Sequence, residues 1–389
     1  QAEAGKLAPA NTDLEALVLR AQGLLKLNDT LEAQKLGRRI LASNGIPGAV
    51  RTDAQLLLAQ VYLRLQEPAA ARRALEPVMQ KVTASAAGGD TSGTTADQLL
   101  DAQLLWAQTL LALRPPEQQE ARALLEAVVG RAPERVEART MLGKLLREMT
   151  EWGQAEQQLT AAVRTDERYT PARRELAALL MQRGDVAKAH ALYRELVKEE
   201  QDPDLLLASA RAERLDGAGE QALATLANVK RSRGEVVGKY DEALLVEKAR
   251  VLLALDRPGE AETLLRGLAT DMAALRRPTL PALLIRAMVS GVVGPARAPA
   301  LASARALLNR IAPAWRGDSD VRLAEIELLI AEDNTAAARL GLESLITSLQ
   351  TVPPSSVGEE GPLRQRAEKL LAGLPAAAKA APAPTKGRR

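Results

Sequence analysis

The sequence predicts an all-α protein, an α-α superhelix of about nine helix pairs stacked over residues 1–350. Three observations carry this. The first is a small residue that keeps returning. Ala33, Ala71, Ala121, Ala155, Ala189, Ala222, Ala261, Ala304 and Ala338 each open a leucine-rich segment, with gaps of 38, 50, 34, 34, 33, 39, 43 and 34 residues. A period near 34 that survives insertions marks a helical-repeat solenoid. The second is composition. Hydrophobic residues make up 47% of the chain, almost all Ala, Leu and Val, with no Phe and only three Trp and four Tyr. Ala and Leu favour helices, whereas strands are enriched in β-branched and aromatic side chains. The third is apolar spacing of i, i+3, i+4 and i+7, twice per period, which marks two amphipathic helices per unit. A solenoid grows by adding repeats, so 389 residues imply no second core.

The elements follow in order. Between Ala71 and Ala121 the spacing stretches, and residues 82–97 read as a flexible insertion loop rich in Gly, Ser and Thr. In 136–169, Leu142, Gly143 and Leu146 share one helix face, Thr150-Glu151 interrupts, and Ala155, Leu159 and Ala162 form a second stripe. In 170–203 the plan repeats with Leu176, Ala177 and Leu180, a turn at Gly184-Asp185, then Ala189, Tyr193 and Leu196. Ser232-Arg233-Gly234 suggests a longer connection, and Gly291 to Pro299 reads as a second loop. Pro353-Pro354-Ser355-Ser356 is a linker, and Pro362 to Leu371 one more helix with Pro in its first turn, covering the end of the stack. Linker and capping helix together occupy 351–373. Residues 374–389, Ala/Pro-rich and basic, are expected to be disordered.

In this order, Leu142, Gly143, Leu146, Ala155 and Leu159, then Leu176, Ala177, Leu180, Ala189 and Tyr193, occupy the signature positions of the tetratricopeptide repeat. Pro133 falls at the terminal Pro position, twelve residues after Ala121. The chain resembles that family over about residues 12–346. It departs in having aliphatic residues at nearly every aromatic position. The resemblance implies a right-handed solenoid with a concave groove lined by the first helix of each pair, where ligands of the family lie. The position after the Leu-Gly pair faces that groove. Along the chain it reads Gln22, Gln60, Gln108, Lys144, Ala178, Arg211 and Arg250, with Arg147, Arg174 and Arg214 nearby. The expectation is an amide-lined first half and a basic middle that bind an extended or acidic partner segment. No Asn stands at these positions, which sets aside the carboxylate clamp of chaperone-binding members.

Chemistry is sparse. There is no Cys and one His, His190, so thiolate and His-pair metal sites are excluded. Arg183-Gly184-Asp185 sits at an intra-repeat turn, where Gly tolerates the geometry and Asp185 can cap the next helix. Gly234 to Lys239 lacks the spacing of a phosphate loop. No catalytic constellation and no cofactor are expected. Residues 351–389 carry seven Lys/Arg against three acids, or +4 of a total of +3, which leaves −1 for the repeats. A near-neutral body with few aromatics argues against nucleic acid. The apolar stretch from Leu280 to Val293 is too short to span a bilayer.

The expected function is a non-catalytic protein–protein interaction scaffold with a protein or peptide partner and no small-molecule substrate. Richness in Ala, Arg and Leu points to a GC-rich bacterium. Similar bacterial arrays serve cell-envelope assemblies such as polysaccharide export, pili or secretion. The alternatives are a peptide-sensing regulator and, behind it, a nucleic-acid-binding helical repeat. Periplasm and cytoplasm both stay open, as does the oligomeric state. A chain starting at Gln1 fits either a removed leader or a fragment.

Overall fold

The computed structural model describes residues 11–86, 94–229, 239–266, 278–290, 294–311, 313–350 and 360–375. These form two compact units, Gln1–Glu175 and Leu176–Arg389. The boundary falls inside α9. The first unit holds α1 (Asn11–Lys26), α2 (Thr30–Leu41), α3 (Gly48–Arg64), α4 (Pro68–Ala86), α5 (Ala96–Ala112), α6 (Gln118–Arg131), α7 (Val136–Glu148), α8 (Trp152–Thr165) and the start of α9 (Thr170–Arg183). The second continues with α10 (Val186–Glu199), α11 (Pro203–Leu215), α12 (Gly219–Ala227), α13 (Lys239–Ala254), α14 (Pro258–Arg266), α15 (Thr279–Ser290), α16 (Arg297–Arg310), α17 (Ser319–Ala331), α18 (Thr335–Gln350) and α19 (Glu360–Gly373). No strand occurs among the described residues.

The returning alanine has one structural address. Ala33, Ala71, Ala121, Ala155, Ala189, Ala222, Ala261 and Ala338 are each the fourth residue of an even-numbered helix, and all are fully buried. Ala304 is also fully buried, but α16 starts a turn earlier.

The turn inside seven of the described pairs explains this constancy. Asn28, Gln66, Thr150, Gly184, Gly217, Asp256 and Asp333 adopt φ of +56 to +86°. In each case the next residue donates its N–H to a carbonyl five residues back: Glu67 to Tyr62 at 2.8 Å, Glu151 to Leu146 at 2.9 Å, Asp185 to Leu180 at 2.9 Å. That is the Schellman bond which satisfies a helix's last carbonyls. The carbonyl of the same residue accepts from the recurring alanine, as Glu151 does from Ala155 at 3.0 Å. One residue thus ends the first helix and starts the second, and the alanine must follow the left-handed residue by five positions.

A second small residue precedes the first by twelve. Ala21, Ala59, Ala177, Ala210 and Ala249 are fully buried and stand twelve positions before Ala33, Ala71, Ala189, Ala222 and Ala261. Gly143 stands likewise before Ala155. A Cβ on Gly143 would lie 2.6 Å from Leu159 Cγ and 3.4 Å from the Ala155 carbonyl oxygen. In α17 the equivalent place holds the larger Ile326. There Gly341 of α18 makes the room, since its Cβ would lie 2.9 Å from Ile326 Cγ1.

In the first unit consecutive helices from α1 to α8 pack pairwise through α7·α8, and α3 also touches α1 and α5. In the second, α11, α13, α15, α17 and α19 touch in turn, so the odd-numbered helices form a continuous layer. The leucine stripes fill the space between layers. Leu75, Leu125, Leu159 and Leu196 on even helices are fully buried, as are Leu110, Leu145 and Leu205 on odd ones. Burying each contributes roughly 1.5–3 kcal/mol.

Several boundaries differ from expectation. Helix α4 runs to Ala86, and Thr95 caps α5 through a reciprocal pair with Gln98. The expected loop 82–97 is therefore narrower, and its centre, 87–93, lies outside the described residues. The expected loop from Gly291 to Pro299 holds a 3₁₀ turn, Gly294–Ala296, followed directly by α16. Pro299 sits in the first turn of α16, where a missing N–H leaves no helical bond unmade. Asp185 occupies the N-cap position of α10 but its side chain makes no cap bond; it lies 3.6 Å from Arg183. Helix α19 is one turn longer than expected, and its Leu363 and Ala367 join the core of α17 and α18. Ser232-Arg233-Gly234, the linker prolines and the tail from residue 376 lie outside the described residues.

Candidate binding face on the odd-numbered helices

The predicted groove positions of the first unit's main row each directly follow the buried small residue of an odd-numbered helix. Gln22 follows Ala21, Gln60 follows Ala59, Gln108 follows Ala107 and Lys144 follows Gly143. Because the small residue faces the paired helix, its neighbour, about 100° around the helix, turns toward solvent. All four side chains are exposed. Gln108 Nε2 lies 3.5 Å from Met141 Sδ, which joins the rows of α5 and α7. In the first unit the structure therefore gives one exposed polar side chain per repeat at one register.

The arginines behave differently. Arg147 donates to Glu175 at 2.9 Å, and both are largely covered. Arg214 Nε donates to Glu247 Oε1 at 2.6 Å, with side-chain exposures of 7% and 8%. Arg250 donates to Asp320 at 3.0 Å. Arg174 and Arg211 are half-buried and also engaged. The expected basic middle is thus present as residues, and in it Arg147, Arg214 and Arg250 meet the chain's own carboxylates. Burying a guanidinium without such a partner is strongly unfavourable. The partners lie 28, 33 and 70 residues away in sequence. The first two separations are close to one repeat, and that was the available signal.

Sequence reasoning missed a second cluster. Arg286 of α15 and Arg366 of α19 both donate through Nε to Glu327 of α17, at 3.0 and 2.9 Å. Glu327 is the residue after Ile326, so it stands in the groove row. A cavity of about 270 Å³ opens beside it on the odd-helix layer of the second unit. His190, the single imidazole, faces Asp216 at 2.7 Å between α10 and the end of α11. No group of three or more metal-ligating side chains occurs among the described residues, and no described helix is long and apolar enough to cross a membrane.

No protein-family model matches the sequence, and no curated protein matches it. Solved structures do match. The apo form of the quorum sensor NprR from B. thuringiensis is 12% identical over 93% of this chain and 99% of that one, with a TM-score of 0.54. The apo form of RapI is 10% identical over 92% and 98%, also with a TM-score of 0.54. A tetratricopeptide repeat protein from Parabacteroides merdae ATCC 43184 is 16% identical over 71% and 99%, with a TM-score of 0.42. At these identities the likeness concerns the fold. The two structures at TM-score 0.54 show the fold, an α-α helical-repeat solenoid, and the alanine register, the shared pair turn and the small-residue contacts fall on the signature positions of a tetratricopeptide-like repeat.

Proposed function

We propose that this chain is a protein-interaction scaffold whose odd-helix face receives an extended segment of a partner protein. One observation carries the reading: Gln22, Gln60, Gln108 and Lys144 are exposed at a single register, one per repeat. An amide side chain offers both a donor and an acceptor, which suits a peptide backbone. Lys144, exposed and without an ion-pair partner among the described residues, supplies a cation for a carboxylate.

Replacing Gln60, Gln108 and Lys144 together by Ala tests the proposal. Crosslinked clients captured from native lysate by the parent chain should be lost or weakened at least tenfold, about 1.4 kcal/mol. An unchanged client set at unchanged affinity contradicts it. Arg214→Glu is a poor alternative, because it would set a second carboxylate against the covered Glu247 and unfold the helix pair. A client in a bacterial envelope assembly is the finer form of the proposal. It rests on composition and on the resemblance alone, and the identity of the captured client decides it.

A further inference from the structure

The first and last helices are finished differently. Helix α19 buries Leu363 and Ala367 and turns Arg364, Gln365, Glu368 and Lys369 to solvent. A polar outer face of this kind is what the terminal element of a solenoid needs. Helix α1 lacks it. Of the five large apolar side chains exposed among the described residues, Leu19 at 68%, Leu27 at 81% and Leu31 at 62% belong to α1, the turn after it and the start of α2. Leu14, Val18, Ala21 and Leu25 form the buried stripe of α1. At about 100° per residue, Ala16, Leu19, Gly23 and Leu27 form a second stripe on the opposite side. Leu27 keeps to the helical path, its N–H donating to the Gly23 carbonyl at 3.0 Å. A Cβ added to Gly23 would meet nothing within 4 Å, so no contact within the chain requires a glycine there. Glycine in mid-helix costs stability, and close approach of another backbone is the use that fits it.

This stripe is complementary to itself when run antiparallel. About a two-fold axis at the level of Ala21, Leu19 falls opposite Gly23 of a second copy and Leu27 opposite Ala16, large against small. Along one edge of the stripe stand Glu15 and Lys26, eleven residues or about three helical turns apart. Both are exposed, and neither has an ion-pair partner among the described residues. The same axis sets each Glu15 against the Lys26 of the other copy. Arg20, on the other edge, approaches its own copy, where its long side chain can turn to water. We propose that α1 is a self-association face through which two copies of this chain pair as an antiparallel, two-fold dimer. Such a contact is isologous and closes at two copies. The inference does not depend on the scaffold reading, whose residues Gln60, Gln108 and Lys144 it leaves untouched.

Sedimentation equilibrium of the full chain over a wide range of concentration tests it. The parent chain should show a reversible monomer–dimer equilibrium. Leu19→Gln should weaken dimerisation at least tenfold at unchanged helix content, because a side chain this exposed adds little to the fold. Glu15→Lys and Lys26→Glu should each weaken it by setting like charges together. Mixing these two variants, or combining both substitutions in one chain, should restore the dimer, because opposite charges then face each other again. A merely structural role for the two residues does not predict that rescue. A parent chain that stays monomeric at every concentration, a dimer that Leu19→Gln leaves intact, or no rescue on mixing overturns the inference. Dimerisation that sets in only when residues 1–10 are removed overturns it too, and makes those residues the occupant of the stripe.

Discussion

At the scale of single residues, the register is held by backbone conformation. Seven pair turns place one residue in the left-handed region, and only Gly184 and Gly217 among these are glycine. Asn28, Asp256 and Asp333 tolerate it through short polar side chains. Thr150, at φ +65°, does not, because a β-branched side chain crowds the backbone there. Thr150→Gly should stabilise the chain by about 0.5–1 kcal/mol, the relieved strain exceeding the added freedom of the unfolded chain. A shift of the denaturant midpoint to higher concentration at constant slope is the expected result. An unchanged or lower midpoint would mean that Thr150 carries no strain. This device was hidden in the sequence, since Gln, Thr, Asn, Asp and Gly share no composition. It was the alanine five residues later that betrayed the turn.

At the scale of the helix pair, small residues decide how closely two helices approach. Ala155 is fully buried at the crossing, beside Gly143 and Leu159. Ala155→Leu should cost roughly 1–3 kcal/mol by overpacking, read as a lower melting temperature. An unchanged melting temperature contradicts the register. Pairs are legible in sequence because period and packing coincide: Ala155 and Leu159 are both a repeat signal and a buried contact. Boundaries were less legible. Pro299 reads as a loop residue, yet the first helical turn accepts proline, so composition alone placed the start of α16 too late. The candidate face divided the same way. Gln22, Gln60, Gln108 and Lys144 were visible because exposure follows helical phase from a known buried neighbour. The neutralisation of Arg147, Arg214 and Arg250, and the shared carboxylate Glu327, depend on side chains that the fold brings together across repeats.

At the scale of the whole molecule, the chain spends few residues on chemistry and many on repetition. The sequence holds a single His and no Cys, and its repeats sum to a near-neutral charge. Its surface is not uniform. The odd-numbered helices present amides and Lys144 in the first unit, and in the second unit arginines paired with the chain's own carboxylates, two of them on Glu327. The even-numbered helices expose polar side chains too, among them Gln119 of α6 and Gln157 of α8, so exposure by itself does not distinguish the faces. Photo-crosslinking does, and it leaves folding untouched. A photo-reactive phenylalanine derivative placed singly at Gln60, Gln108, Gln119 or Gln157 reports which face meets a client in native lysate. The account predicts client adducts from Gln60 and Gln108 and none from Gln119 and Gln157; adducts arising from the even-helix positions instead, or equally from both faces, would contradict it.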